Sequence, residues 1–156
     1  MPEVAFEDAA PALVVFHALA AIVLIGASTH HAIIAVGYLR GSFKTRLGRI
    51  YAAVGAIAYG VTFVLGLFAY PAFRYHTRGL YLDRYEPWAS NLFDIKENFA
   101  ALGLPLVIGA LVLSRVMKPS EDATLLRGYA AMVLLTAAIV WFSVISGLVI
   151  GQARGV

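Results

Sequence analysis

Four long apolar runs, each closed at both ends by charged residues, divide the chain, and the segments between them hold nearly all of its charge. The first covers residues 11–39, interrupted by Ser28, Thr29 and three histidines, His17, His30 and His31, and stops at Arg40. The second covers residues 50–73, between Arg49 and Arg74, and the fourth residues 128–151, between Arg127 and Arg154. The uncharged part of the third starts only at Phe99 and is short, so this span is taken back to Asn91 and covers residues 91–116. That places Asp94, Lys96 and Glu97 in its first turns, at the membrane border. Crossing about 30 Å of hydrocarbon takes about 20 residues of helix, and runs of this length without strict alternation exclude strands. The pattern predicts an all-α fold. It is a single four-span domain over residues 1–156, an integral membrane four-helix bundle with a partly ordered outer loop between its second and third helices.

Hydrophobic residues make up 61% of the chain and charged ones 13%, against about 45–50% and about 25% in ordinary soluble domains. One small core cannot hide that much apolar surface, so a soluble monomer is excluded. The absence of cysteine rules out disulfides, thiolate metal sites, iron–sulfur clusters and covalently attached c-type haem. A net charge of +3 and a pI near 9.3 read as anchoring at a lipid surface, not as nucleic-acid binding. Basic residues also set the topology. Arg40, Lys44, Arg46, Arg49, Arg115, Lys118 and Arg127 fall on one side, and Arg74, Arg78, Arg84, Lys96 and Arg154 on the other. Seven against five predicts both termini outside, in a membrane of the bacterial inner (cytoplasmic) type. Residues 1–12 hold Glu3, Glu7 and Asp8 and no base, so the first span is expected to stay in the mature protein and not to act as a signal peptide.

Small residues recur every four positions in the fourth span, at Ser143, Gly147, Gly151 and Gly155, and more weakly in the second, at Ala52, Ala56 and Gly60. Such faces let helix backbones approach closely in lipid, either inside the bundle or across a homodimer seam. The segment Arg49, Tyr51, Ala52, Ala53 is echoed 78 residues later by Arg127, Tyr129, Ala130, Ala131, as a duplicated two-helix hairpin would leave it. Gly103 and Pro105 are expected to kink the third helix.

Imidazoles within a membrane span face a bundle interior or a polar site. His17 and His31 are 14 residues apart. They therefore fall within about 40° of one helix face and about 21 Å apart along it, while His30 points about 100° away from His31. Three readings stay open. Each ring can be satisfied by a carbonyl or hydroxyl such as that of Ser28 or Thr29; His17 and His31 can ligate a haem b iron or another metal; or they can line a proton path. A tight zinc or copper site is disfavoured, because adjacent rings diverge and no HxxxH pair, cysteine or inward acid joins them. Haem needs an apolar slot with cations at its rim, and Arg74, His76, Arg78 and Lys96 stand where that rim would be. With His17 as one axial ligand, the second would come from Lys96, from Met132 or from a histidine of another copy, since the last three spans contain no histidine.

The segment FHALAAIVLIGASTHH, with His17 early and Gly26 nine residues on, resembles the opening helix of small four-helix membrane proteins related to HemJ-type protoporphyrinogen oxidase and to CopD-like copper-resistance domains. The segment LFDIKENFAALG, with Lys96 near the membrane border, is similar to the HemJ pattern of a lysine early in the third helix. The resemblance covers the four-span layout and a handful of positions; the tryptophan usual before the glycine is replaced here by Leu24 or Ile25. It implies haem binding and activity at His17 and Lys96, with Lys96 as the catalytic residue.

Residues 74–98, RYHTRGLYLDRYEPWASNLFDIKEN, suit an interfacial lid, because Tyr, Trp and Arg favour the headgroup layer. The sharper reading makes them a rim in which Arg74, Arg78 or Arg84 holds an anionic group and Asp94, Lys96 and Glu97 handle protons. A bridge between Asp94 and Lys96 is not expected, since residues two apart do not share a helix face. Two functions follow. One is a b-type haem protein in electron transfer or porphyrin oxidation; the other is a non-catalytic membrane subunit or small transporter with structural histidines. The expected partners are membrane lipid and a second copy or a larger membrane complex.

Overall fold

The structure is a computed structural model and describes residues 4–153. Glu3 and Arg154 of the charge pattern and Gly155 of the small-residue ridge lie outside the described residues. The described residues form helices α1 (Ala10–Leu39) and α2 (Thr45–Ala72), a π-helix (Phe73–Leu82) with one further turn (Asp83–Tyr85), and helices α3 (Pro87–Val116) and α4 (Ala123–Ala153). All four long helices are long and apolar enough to cross a membrane.

The apolar runs determine the middles of these helices, and local chemistry determines their ends. Proline stands in the first turn of both α1 and α3, where its missing N–H costs nothing. At the end of α1 the chain turns through Gly41 at φ 82°. There the Gly41 N–H donates to the Tyr38 carbonyl at 3.0 Å and the Ser42 N–H to that of Gly37 at 2.8 Å. This is a Schellman cap, which needs the left-handed conformation that glycine adopts freely.

Around the bundle, α1 packs on α2 and α4, and α3 packs on the same two, so α1 and α3 face each other across the interior. Buried side chains form three layers. Leu82, Ala89 and Ile150 make the first, Leu24, Tyr59, Val107 and Val140 the middle one, and Ala35, Tyr38, Tyr129 and Val133 the layer nearest the Arg40 end. Only 11% of the most apolar window of α1 and 39% of that of α4 is buried. The outward surface is thus a continuous apolar belt, far beyond the patches soluble monomers expose.

The expected loop after the second span is corrected by the structure to helix. Pro71 has no N–H to give the carbonyl four residues earlier, and the chain continues beyond Ala72 in the wider π register. Gly79 fits that register, since a Cβ there would come 3.2 Å from the Arg74 carbonyl oxygen. The chain reverses only at Glu86. Residues ahead of α1 fold over this end, with Phe6 edge-on to Phe68 and the His76 Nε2 2.7 Å from a Glu7 carboxylate oxygen.

The small-residue ridge of α4 is not a close contact inside the chain, because a Cβ at Gly147 or Gly151 would meet nothing within 4 Å. The close approaches fall elsewhere. Gly48 of α2 lies under the Tyr38 hydroxyl of α1, and Gly103 of α3 lies under the Tyr59 hydroxyl of α2. Pro105 sits inside a helix that runs unbroken from Pro87 to Val116.

Candidate functional site

The two halves of α1 differ. Every buried residue it has lies at Leu24 or beyond, and in the half that carries His17 the side chains are exposed or half-buried. His17 is half-buried and turns toward α2, where its Nδ1 is 2.9 Å from the Thr62 carbonyl oxygen. A carbonyl can only accept, so in the neutral ring Nδ1 carries the proton and Nε2 keeps a lone pair. Metal-ligating histidines are commonly held in that way, one ring nitrogen donating to a carbonyl or carboxylate and the other directed at the metal. Gly66 makes the arrangement possible, because a Cβ there would come 3.2 Å from His17 Cε1. Lys96 lies on α3, which faces α1 across the bundle. Its Nζ lies 5.1 Å from the centre of the Phe93 ring, and Glu97 is its electrostatic neighbour.

The expected cationic rim divides into committed and uncommitted groups. Arg78 forms a two-pronged pair with Asp94, at 2.6 and 2.8 Å, and its Nε is 3.6 Å from Asp83. The Ser90 hydroxyl in turn donates to Asp83. Arg78 therefore clamps the π-helix to α3, and its fork is engaged within the chain. Arg74 stays exposed, its guanidinium 5.9 Å from the centre of the Tyr70 ring. Neither Arg74 nor Lys96 forms an ion pair among the described residues. In Asp94→Asn the clamp loses its charge pairing. Half-exposed pairs contribute about 1 kcal/mol or less, so faster hydrogen exchange across residues 73–82 is expected, with global stability nearly unchanged.

His31 is placed differently from His17. It is buried in the layer nearest the Arg40 end, its Nε2 2.6 Å from the Tyr129 hydroxyl, and Tyr129 stacks on Tyr38. The nitrogen that faces the interior is thus already bonded, and His31 joins a packing network some four helical turns from His17. His30 has its Nδ1 2.8 Å from the Gly26 carbonyl oxygen and stacks on Tyr51. The two echoing tyrosines, Tyr51 and Tyr129, therefore each meet one of the adjacent histidines. Met132 packs against Gly109 in the His31 layer, away from His17. His31→Ala would leave the Tyr129 hydroxyl buried without its partner. The expected cost is about 1–3 kcal/mol in a denaturant titration.

Among the described residues no three His, Asp or Glu side chains gather as a metal-ion site. Compared with models of known protein families, with curated proteins and with solved structures, the chain matches none.

Of the residues singled out from the sequence, His17, Lys96, Arg74 and Arg78 lie toward the π-helix end of the bundle, and His31 lies toward the Arg40 end. Thr62, Gly66, Asp94 as partner of Arg78, and Tyr129 were not singled out as partners. Threonine and glycine within an apolar run signal proximity to some polar group, but which helix they serve depends on the packing order around the bundle.

Proposed function

We propose that the chain is an integral membrane protein with both termini on the outer side, and that the outer half of its bundle binds haem b through His17. The carrying observation is the His17 Nδ1 contact with the Thr62 carbonyl, which leaves the Nε2 lone pair as a neutral donor in the half of α1 that holds no buried residue. His17 would hold the iron through its Nε2 lone pair. Arg74 and Lys96 are the cations left to meet propionates, Arg78 being paired with Asp94. When bound, haem supplies one-electron redox chemistry, for electron transfer or for oxidation of a porphyrin-like substrate. The residues supply ligation, a low-dielectric wall and, through Lys96 and Glu97, a place to hold a proton. The resemblance to HemJ-type and CopD-like membrane proteins points the same way.

Protein purified in detergent from haem-replete cells is expected to show a Soret band; colourless protein overturns the haem reading. A second reading, a non-catalytic membrane subunit with structural histidines, is favoured by the satisfied rings of His30 and His31 and expects no chromophore. For the topology, cysteines placed in the 41–44 connector are expected to resist a membrane-impermeant reagent applied from outside. Labelling there would invert the orientation and move His17 to the cytoplasmic leaflet.

A further inference from the structure

Between α1 and α4, toward the Arg40 end, runs an open groove of about 570 Å³. Its walls are apolar, with Ile33 and Val36 from α1 and Ala137 and Ala138 from α4. At one end lies Trp141, whose indole N–H donates to the Thr29 hydroxyl oxygen at 3.0 Å. Arg40, Ser42 and Lys44 stand at the other end. From Thr29 to Arg40 the groove follows α1 for about 16 Å. The Schellman cap at Gly41 matters here, because it folds the chain back and sets Ser42 and Lys44 beside the groove. Among the described residues neither Arg40 nor Lys44 forms an ion pair. Two cations without an ion pair, and a hydroxyl, therefore stand at one end of an apolar channel that a Trp–Thr bridge bounds at the other.

We propose that this groove binds an anionic phospholipid, its phosphate between Arg40 and Lys44 and one acyl chain lying along Ile33, Val36, Ala137 and Ala138 toward Trp141. The charge pattern selects the occupant. A zwitterionic lipid brings its own cation to a doubly positive mouth, and a helix of a second copy laid in the groove would bury Arg40 and Lys44 without partners, at a large desolvation cost. The proposal rests on the membrane-spanning reading and is independent of haem at His17.

The test is native mass spectrometry of the full chain released from nanodiscs containing equal phosphatidylglycerol and phosphatidylcholine. Insertion into nanodiscs of phosphatidylcholine alone is scored first, and failure there overturns the membrane reading together with this one. With insertion established, retained phosphatidylglycerol is expected to exceed phosphatidylcholine by about tenfold or more, because each basic side chain near an anionic headgroup contributes appreciably. Arg40→Gln with Lys44→Gln is expected to abolish that preference. Ala138→Phe, which fills the groove from an exposed position, is expected to displace the retained lipid. Arg115→Gln, outside the groove, is expected to leave the preference intact. Equal retention of the two lipids, a preference unaffected by both groove variants, or a dimer that cross-links through position 138 would overturn the proposal.

Discussion

His17→Ala is expected to yield a folded protein without a Soret band. The imidazole is half-buried, and its hydrogen bond to the Thr62 carbonyl is a single neutral contact, so the stability lost is about 1 kcal/mol. Haem, by contrast, would lose the imidazole whose free nitrogen is directed by a backbone anchor on another helix. His30→Ala is the matched control: that ring bonds Gly26 of its own helix and stacks on Tyr51, so its removal is expected to leave the band in place. Absorbance per mole of protein, read beside far-ultraviolet circular dichroism, separates loss of ligand from loss of fold. Retention of the full band in His17→Ala would assign the iron to another residue.

Gly103→Leu is expected to prevent stable folding. Tyr59 crosses from α2 to donate its hydroxyl to the Ala100 carbonyl of α3 at 2.7 Å, one turn from Gly103. That bond places the Tyr59 hydroxyl and ring where a Cβ of residue 103 would stand. Replacing glycine in a helix gains about 1 kcal/mol in backbone propensity. Overpacking a rigid aromatic against backbone costs about 1–3 kcal/mol for small additions and more for a full leucine side chain, so the clash dominates. Gly109→Ala offers the contrast, because there the Cβ would meet only the far end of flexible Met132, its Sδ at 2.8 Å and its Cε at 3.3 Å. Denaturation in detergent is expected to rank wild type and Gly109→Ala well above Gly103→Ala, with Gly103→Leu recovered only as aggregate. Shortening the opposing side chain with Tyr59→Leu is expected to rescue Gly103→Ala in part, giving a coupling above about 1 kcal/mol. Equal stability of the two alanine variants would contradict the close approach of α2 and α3.

The helices and their order were legible because long apolar runs and their charged borders are written directly along the chain. The bounds of α1 match its apolar run to within a residue, while α2, α3 and α4 start four or five residues earlier than hydropathy indicates, α3 because Pro87 opens a helix through backbone geometry and not through apolarity. The π-helix reads as a loop in sequence because its arginines, tyrosines and His76 look interfacial in one dimension. It is held by contacts that no local pattern records, among them the Arg78 fork on Asp94 and the packing of Leu82 against α3 and α4. At the site, helical periodicity correctly separated His30 from His31. It did not distinguish the roles of His17 and His31, which share nearly the same face. That distinction came from their neighbours, a bare carbonyl and a glycine at one level and a tyrosine hydroxyl at the other.

Haemin titration of the purified apoprotein, followed in the Soret region, tests ligation at His17 most directly. A saturable end point at one haem per chain is expected in the wild type and none in His17→Ala. Parallel, unsaturating absorbance in both proteins would contradict a haem site at this histidine.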